Sequence, residues 1–220
     1  EPDITVTNPE AGVTGVTRES DSQLRARRER SIVRTGTATA EAIYAAVVDL
    51  NLEFIAVLEN DTDETVNGIP PHSFLTVVEG GSLEDVAERI YRNKAIGIKA
   101  YGDTIINIRD SQGIDHPIGL SRPVQVPVHV RVKVVRPDNV AISSLRVIRD
   151  ALVDHVNKIQ ISRPVEWAKM FAPATIAAPQ VNIKTIEIST DGTSWQTSDI
   201  DISVGYRAVT DATLVTVEEL

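Results

Sequence analysis

Between positions 124 and 135 the chain alternates. Val124, Val126, Val128, Val130, Val132 and Val134 share one parity, and Gln125, Pro127, His129, Arg131, Lys133 and Val135 share the other. A period of two over that length describes a strand with one face on an apolar core and the other toward water. The valines are β-branched and pack well on a pleated surface. An all-helical fold is therefore excluded. Pro127 has no N–H for a ladder, which points to an edge strand or a bulge at that place.

Around this strand the apolar period switches repeatedly. Residues 1–18 are rich in Thr, Gly and Pro and read as an extended entry segment. Ser20 with Gln23 forms a capping box and opens a helix expected to reach about Val33, with Gly36 as its stop. A second helix opens at Thr37 or Thr39, with Ala42, Ile43, Ala46, Val47 and Leu50 on one stripe. Phe54–Leu58 and Phe74–Val78 read as strands, separated by a polar loop over 60–71. Gly80-Gly81 ends the second strand, and Ser82 caps a helix with Leu83, Val86, Ala87, Ile90 and Tyr91 inward. Acidic residues at its start and basic ones at its end suit the helix dipole.

Gly97 to Gly102 reads as a loop, Thr104–Arg109 as a strand, and Asp110–Gly113 as a turn into a weaker extended piece. After the valine strand, a helix of about fifteen residues is expected to turn Ile142, Leu145, Ile148, Leu152 and Val156 inward. Ser162-Arg163-Pro164 introduces a short helix to Phe171. Thr185–Ser189, the Asp191-Gly192 turn, Ile200–Val204 and Thr213–Val217 read as a terminal antiparallel meander. The fold class is α+β: a helical entry followed by two small α+β modules with mixed or antiparallel sheets. The expected boundaries are 1–18, 19–120 and 121–220.

The 220 residues carry 22 Lys and Arg against 31 Asp and Glu, a net charge of −9. An acidic surface repels phosphate backbones and anionic lipid, so nucleic acid and membrane are not expected partners. No stretch approaches the roughly 18 apolar residues of a membrane-spanning helix. The opening Glu1-Pro2-Asp3-Ile4 is neither basic nor apolar, and without a Met the chain reads as a fragment or a processed form. There is no cysteine, which removes disulfides, Cys-based zinc sites and thiol catalysis.

The remaining chemistry is sparse. Counted from Asp61 as an EF-hand loop, positions six and twelve hold Val66 and His72, where a Gly and a carboxylate are needed. His72, His116, His129 and His155 are scattered, with no His pair at helical spacing for zinc. Asp115-His116 has no nucleophile elbow with it, and Asp199 and Asp201 read as one wet strand face. Gly80-Gly81-Ser82 precedes a helix, but Ser82 occupies the cap and Glu84 and Asp85 repel phosphate. No catalytic, cofactor-binding or metal-ligating residues are assigned, and no cofactor or small-molecule substrate is expected. Arg25, Arg27, Arg28, Arg30 and Arg34 form the one basic cluster. With no interleaved aromatic residue it reads better as a contact for acidic surface on a neighbouring subunit than as a phosphate track.

The run Glu19-Ser20-Asp21-Ser22-Gln23-Leu24-Arg25-Ala26-Arg27 resembles the acid–Ser–Asp–x–x–Leu–Arg–x–Arg signature of the baseplate J-like family, wedge proteins of contractile phage tails, prophages and tailocins. Further fragments follow in the family's order: Gly36-Thr37, Val57-Leu58-Glu59-Asn60, Gly68-Ile69-Pro70-Pro71-His72-Ser73, Val77-Val78-Glu79-Gly80-Gly81, Ile90-Tyr91-Arg92-Asn93-Lys94, then Gly97-Ile98 with Tyr101-Gly102. The likeness spans roughly residues 7–136; beyond that, Asp191-Gly192-Thr193-Ser194-Trp195 is similar in layout only. The resemblance implies a long N-terminal region of the kind family members usually carry before this point, and its role, including some ring contacts, is not placed on these residues.

The resemblance implies a non-enzymatic structural protein of the virion tail baseplate, assembled in the host bacterial cytoplasm. Its partners would be itself, as a homo-oligomer or ring, and other wedge and hub proteins. Interface candidates are Arg25, Arg27, Arg28, Arg30, Arg34, Gly97, Tyr101 and Gly102, with a possible sheet edge near Pro127. Two rival readings stand beside it. One is a host-glycan-binding tail module, which nine aromatic residues support poorly. The other is a cell-wall hydrolase using Asp115, His116 or the Asp61 loop.

Overall fold

The computed structural model describes residues 38–220 together with Asp21, which is helical. Arg25, Arg27, Arg28, Arg30 and Arg34, and the rest of the helix expected to end near Val33, lie outside the described residues. Helix α1 (Ala40–Val47) starts where Thr39, in extended backbone, accepts a hydrogen bond from Ala42 N on its Oγ1 at 3.1 Å. Of the expected stripe, Ala42, Ile43, Ala46 and Val47 are buried, while Leu50 lies past the helix end and is half-buried.

Strand β1 (Leu52–Asn60) runs antiparallel to β2 (Ser73–Gly80), pairing Asn60 with Ser73 and Ala56 with Val77, with a bulge between Leu52 and Phe54. β2 is the middle strand and is buried from Ser73 through Val78, whereas β1 is mostly half-buried. The loop joining them is organised by Asn60, itself 3% exposed. Its amide donates to the carbonyls of Glu64, Ile69 and Pro70 at 2.7, 2.8 and 3.1 Å, and its Oδ1 accepts from Thr62 N and Thr62 Oγ1. Helix α2 (Leu83–Asn93) follows, capped by Ser82 Oγ accepting from Asp85 N at 3.3 Å. Val86, Ala87 and Ile90 are buried, with Leu83 and Tyr91 partly so.

The segment expected to be a loop from Gly97 to Gly102 contains strand β3 (Lys99–Tyr101), parallel to β2 through Phe74 and Ala100. Ala100 is buried, so pairing to a buried strand outweighs the flanking glycines. β4 (Thr104–Arg109) and β5 (Asp115–Leu120) form the expected hairpin around Asp110. Asp110 Oδ1 accepts from Gln112 N and Ile114 N at 2.8 and 2.9 Å.

The valine strand is split in two. β6 (Val124–Pro127) pairs parallel with β9 (Tyr206–Val209), and β7 (His129–Val135) pairs antiparallel with β8 (Asn182–Ser189) and parallel with β10 (Val215–Glu219). Pro127 ends β6, an edge strand of a two-stranded sheet as its missing N–H leads one to expect, whereas β7 is a central strand. Val128, Val130, Val132 and Val134 are all fully buried, as the alternation requires. The expected antiparallel meander is corrected on two counts. β9 pairs in parallel with β6 and β10 in parallel with β7, and residues 200–204 form no strand, only a bridge between Ile200 and Val165.

Helix α3 (Ser143–Asn157) buries Ile148, Leu152 and Val156. Ile142 was expected inward but is 71% exposed, because it precedes the first helical turn and is not held to the buried face. The short helix expected to end at Phe171 instead runs as a 3₁₀ turn (Trp167–Met170) into α4 (Phe171–Ala177). Pro173 falls in α4's first turn, where a missing N–H costs nothing.

Buried side chains gather in three clusters. One spans Ile43 to Leu120 between α1, α2 and the first sheet, and a larger one spans Val128 to Val215 around α3 and β7. The third places Ile69, Leu75 and Val77 against Ile161, on the opposite face of β2. Among the described residues no helix is long and apolar enough to cross a membrane.

Candidate functional site

The third cluster lies where residues on either side of position 120 meet, and polar groups rim it. Arg207 Nε lies 2.6 Å from Glu79 Oε2, Nη2 donates to Glu79 Oε1 at 3.2 Å, and Nη1 donates to Asn157 O at 3.0 Å. The Nε–Oε2 approach is not aligned as a hydrogen bond, so charge holds it. The Arg207 guanidinium also stands over the Phe54 ring at 4.3 Å. Nearby, Arg122 donates to the carbonyls of Val78, Gly80 and Gly81, which leaves the Gly80-Gly81 corner tied from inside the chain.

Of the interface candidates among the described residues, Gly97 lies on open surface at φ +88°, with nothing within 4 Å of where a Cβ would stand. Its neighbour Ile96 is fully exposed, at 103%. Tyr101 lies in β3 and packs on the third cluster. Gly102 is an internal close approach. A Cβ there would lie 2.3 to 2.4 Å from the backbone of Leu120, and one at Gly119 would lie 2.7 Å from Ala100 O. Sequence pattern brings the three together as one segment; the fold gives them three different surroundings.

The histidines and carboxylates form local pairs. His72 Nε2 is 2.9 Å from Asp63, and His116 Nε2 is 3.1 Å from Asp110, with the His116 ring beside Tyr91. Asp115, the neighbour of His116 in sequence, pairs instead with Arg109. Hydrogen bonding to His116 lowers the Asp110 carboxyl below its usual value, and hydrogen bonding to Arg109 does the same for Asp115. Ser73, next to His72, gives its hydroxyl to Pro70 O at 2.6 Å. Asp199 accepts from Trp167 N at 2.8 Å, so it is a helix-start acceptor and not half of an acidic face. Four hydrogen bonds, led by the Ser194 amide, hold Asp191 well below the usual carboxylate range and build the turn before Trp195. Among the described residues no three His, Cys, Asp or Glu are placed to hold a metal ion.

An open hollow of about 180 Å³ lies beside the N-terminus of α1, lined by Thr39, Asn60, Asp61, His72 and Ile98 among others. Asn60 spends its donors on the loop, and His72 is engaged by Asp63. The hollow is open and carries the carboxylates of Glu59 and Asp61 among its lining.

The loop-building role of Asn60 is one that the sequence does not assign. Its sign was a lone asparagine ending an apolar strand before an acid-rich loop, a pattern that suits a side chain bonding backbone groups.

Compared with solved structures, the chain resembles one described as the cryo-EM structure of the anti-feeding prophage (AFP) baseplate, 6-fold symmetrised. The TM-score is 0.56 at 12% identity, covering 90% of this chain and 43% of that one. No family model matches the sequence, and no curated protein matches it.

Proposed function

We propose that the chain is a structural component of the baseplate of a contractile phage tail or phage-derived tail-like particle. It is a wedge protein of baseplate J-like type that associates with itself and with other wedge proteins around the central hub. The observation that carries this reading is the likeness in fold to an AFP baseplate chain, which covers 90% of this chain. The resemblance of Glu19–Arg27 to the J-like pattern points the same way.

Its role is contact and not catalysis. The carboxylate–histidine pairs are local, and the buried Arg207 is spent on Glu79, across position 120. Arg25, Arg27, Arg28, Arg30 and Arg34 serve as one contact, toward acidic surface on a neighbour, and the segment from the exposed Ile96–Gly97 corner through Tyr101 and Gly102 as another. Modules 19–120 and 121–220 act as a pair fixed by the Glu79–Arg207 contact. The test is deletion of the coding segment in the organism that carries it. Tails without an end plate, or no assembled tails at all, support the reading; complete tails with normal end plates refute it.

A further inference from the structure

In the order β1-β2-β3, β1 is an end strand, and no strand pairs with its outer edge among the described residues. The register identifies the groups that edge presents. Val78 N donates to Ser121 O and Ser121 N donates to Thr76 O, so Thr76 and Val78 turn their main-chain groups away from β1. Val77, between them, turns toward it and faces Ala56. Antiparallel ladders alternate, so Ala56 and Leu58 bond to β2 while Ile55, Val57 and Glu59 offer N–H and C=O outward.

The side chains at this edge are apolar on both faces. Phe54, Ala56 and Leu58 rest on the third cluster, Ile55 and Val57 on the first, and all five are only half-buried. Five consecutive residues without a charge or a proline make an unusually receptive edge. Glu53 and Glu59, both exposed, bracket it. They also decide what fits. A second copy paired antiparallel over the full strand would set Glu53 opposite Glu59 twice, and like charges directly opposite destabilise a pair. A chain of net charge −9 adds to that repulsion.

We propose that the outer edge of β1 accepts a strand from a different protein, apolar through its middle and carrying Lys or Arg opposite Glu53 and Glu59. Main-chain bonds to Ile55, Val57 and Glu59 supply the pairing, and the two end charges set direction and partner. The proposal stands on the geometry of the sheet and holds whether or not the chain sits in a baseplate.

The probe is a pair of short synthetic peptides of alternating Val and Thr, one with Lys and one with Glu at the positions facing Glu53 and Glu59. Each is titrated into the full chain while backbone amide exchange is followed. The Lys peptide should slow exchange at Ile55, Val57 and Glu59. The double variant Glu53→Lys/Glu59→Lys, altered only at exposed positions, should keep its unfolding midpoint, bind the Lys peptide about tenfold more weakly and prefer the Glu peptide. Three outcomes overturn the proposal. The amides are already slow at high dilution, so the chain's own residues cover the edge. The slowing rises with protein concentration alone, so a second copy does. Or the Lys peptide leaves the amides unchanged or binds with no charge preference.

Discussion

Arg207 and Glu79, 128 residues apart in sequence, stand 2.6 Å from each other with side chains only 8% and 19% exposed. β2 carries the glutamate and β9 the arginine, so this pair links the two larger apolar clusters. Desolvating both charges costs several kcal/mol, and their attraction, the Phe54 ring and the Asn157 carbonyl offset it.

Removing one partner leaves the other buried and uncompensated. Glu79→Leu and Arg207→Met should each lower unfolding stability by about 3 kcal/mol. The double variant Glu79→Leu/Arg207→Met should lose less than the two single losses added together. Chemical denaturation of the four proteins measures the coupling; strict additivity would show that the pair does not act as a unit.

Gly102 is required by backbone contact and not by turn conformation. Gly102→Ala should cost about 1–3 kcal/mol, since its Cβ would meet the Leu120 main chain, which has no side-chain end that can yield. The hairpin of β4 and β5 should show the loss first, as faster amide exchange at Ile118 and Leu120. A neutral effect on both would contradict the packing described.

His155 lies on α3 beside the core, and burial pushes its pKa below the usual histidine value. Asp154 opposes that shift, while Lys169 and Lys158 add to it. The fold therefore favours the neutral ring. Above about pH 6.5 this group costs the fold nothing. As the pH falls below that, the unfolded chain takes up the proton first and stability declines until the folded pKa is passed. His155→Gln should flatten this part of the stability–pH curve, measured as the urea midpoint against pH; an unchanged slope would contradict the assignment.

Local periodicity made much of this fold legible. The Thr39 and Ser82 caps, the buried stripes of α1 and α2, and the limits of β4 all follow from residues within a turn or two of each other. Strand partners did not follow in the same way. The valine run announces a strand with one buried parity. It does not announce that Val124–Pro127 pairs with Tyr206–Val209 while His129–Val135 lies between two other strands. Those choices are made across some 80 residues by packing. Lys99–Tyr101 was hidden for a related reason: a three-residue strand between glycines has no period to detect, only a partner. On the candidate surface, Gly97 kept the open loop position its sequence implied, whereas Gly102 owes its identity to the Leu120 backbone, which is remote in sequence.

The central claim, a structural place in a contractile-tail baseplate, is tested most directly by immunogold electron microscopy. Antibody against this chain is applied to tail particles induced from the organism that encodes it. Gold at the end plate is the predicted result. Gold absent from intact and disrupted tails alike would contradict the account and reduce the likeness to one of fold.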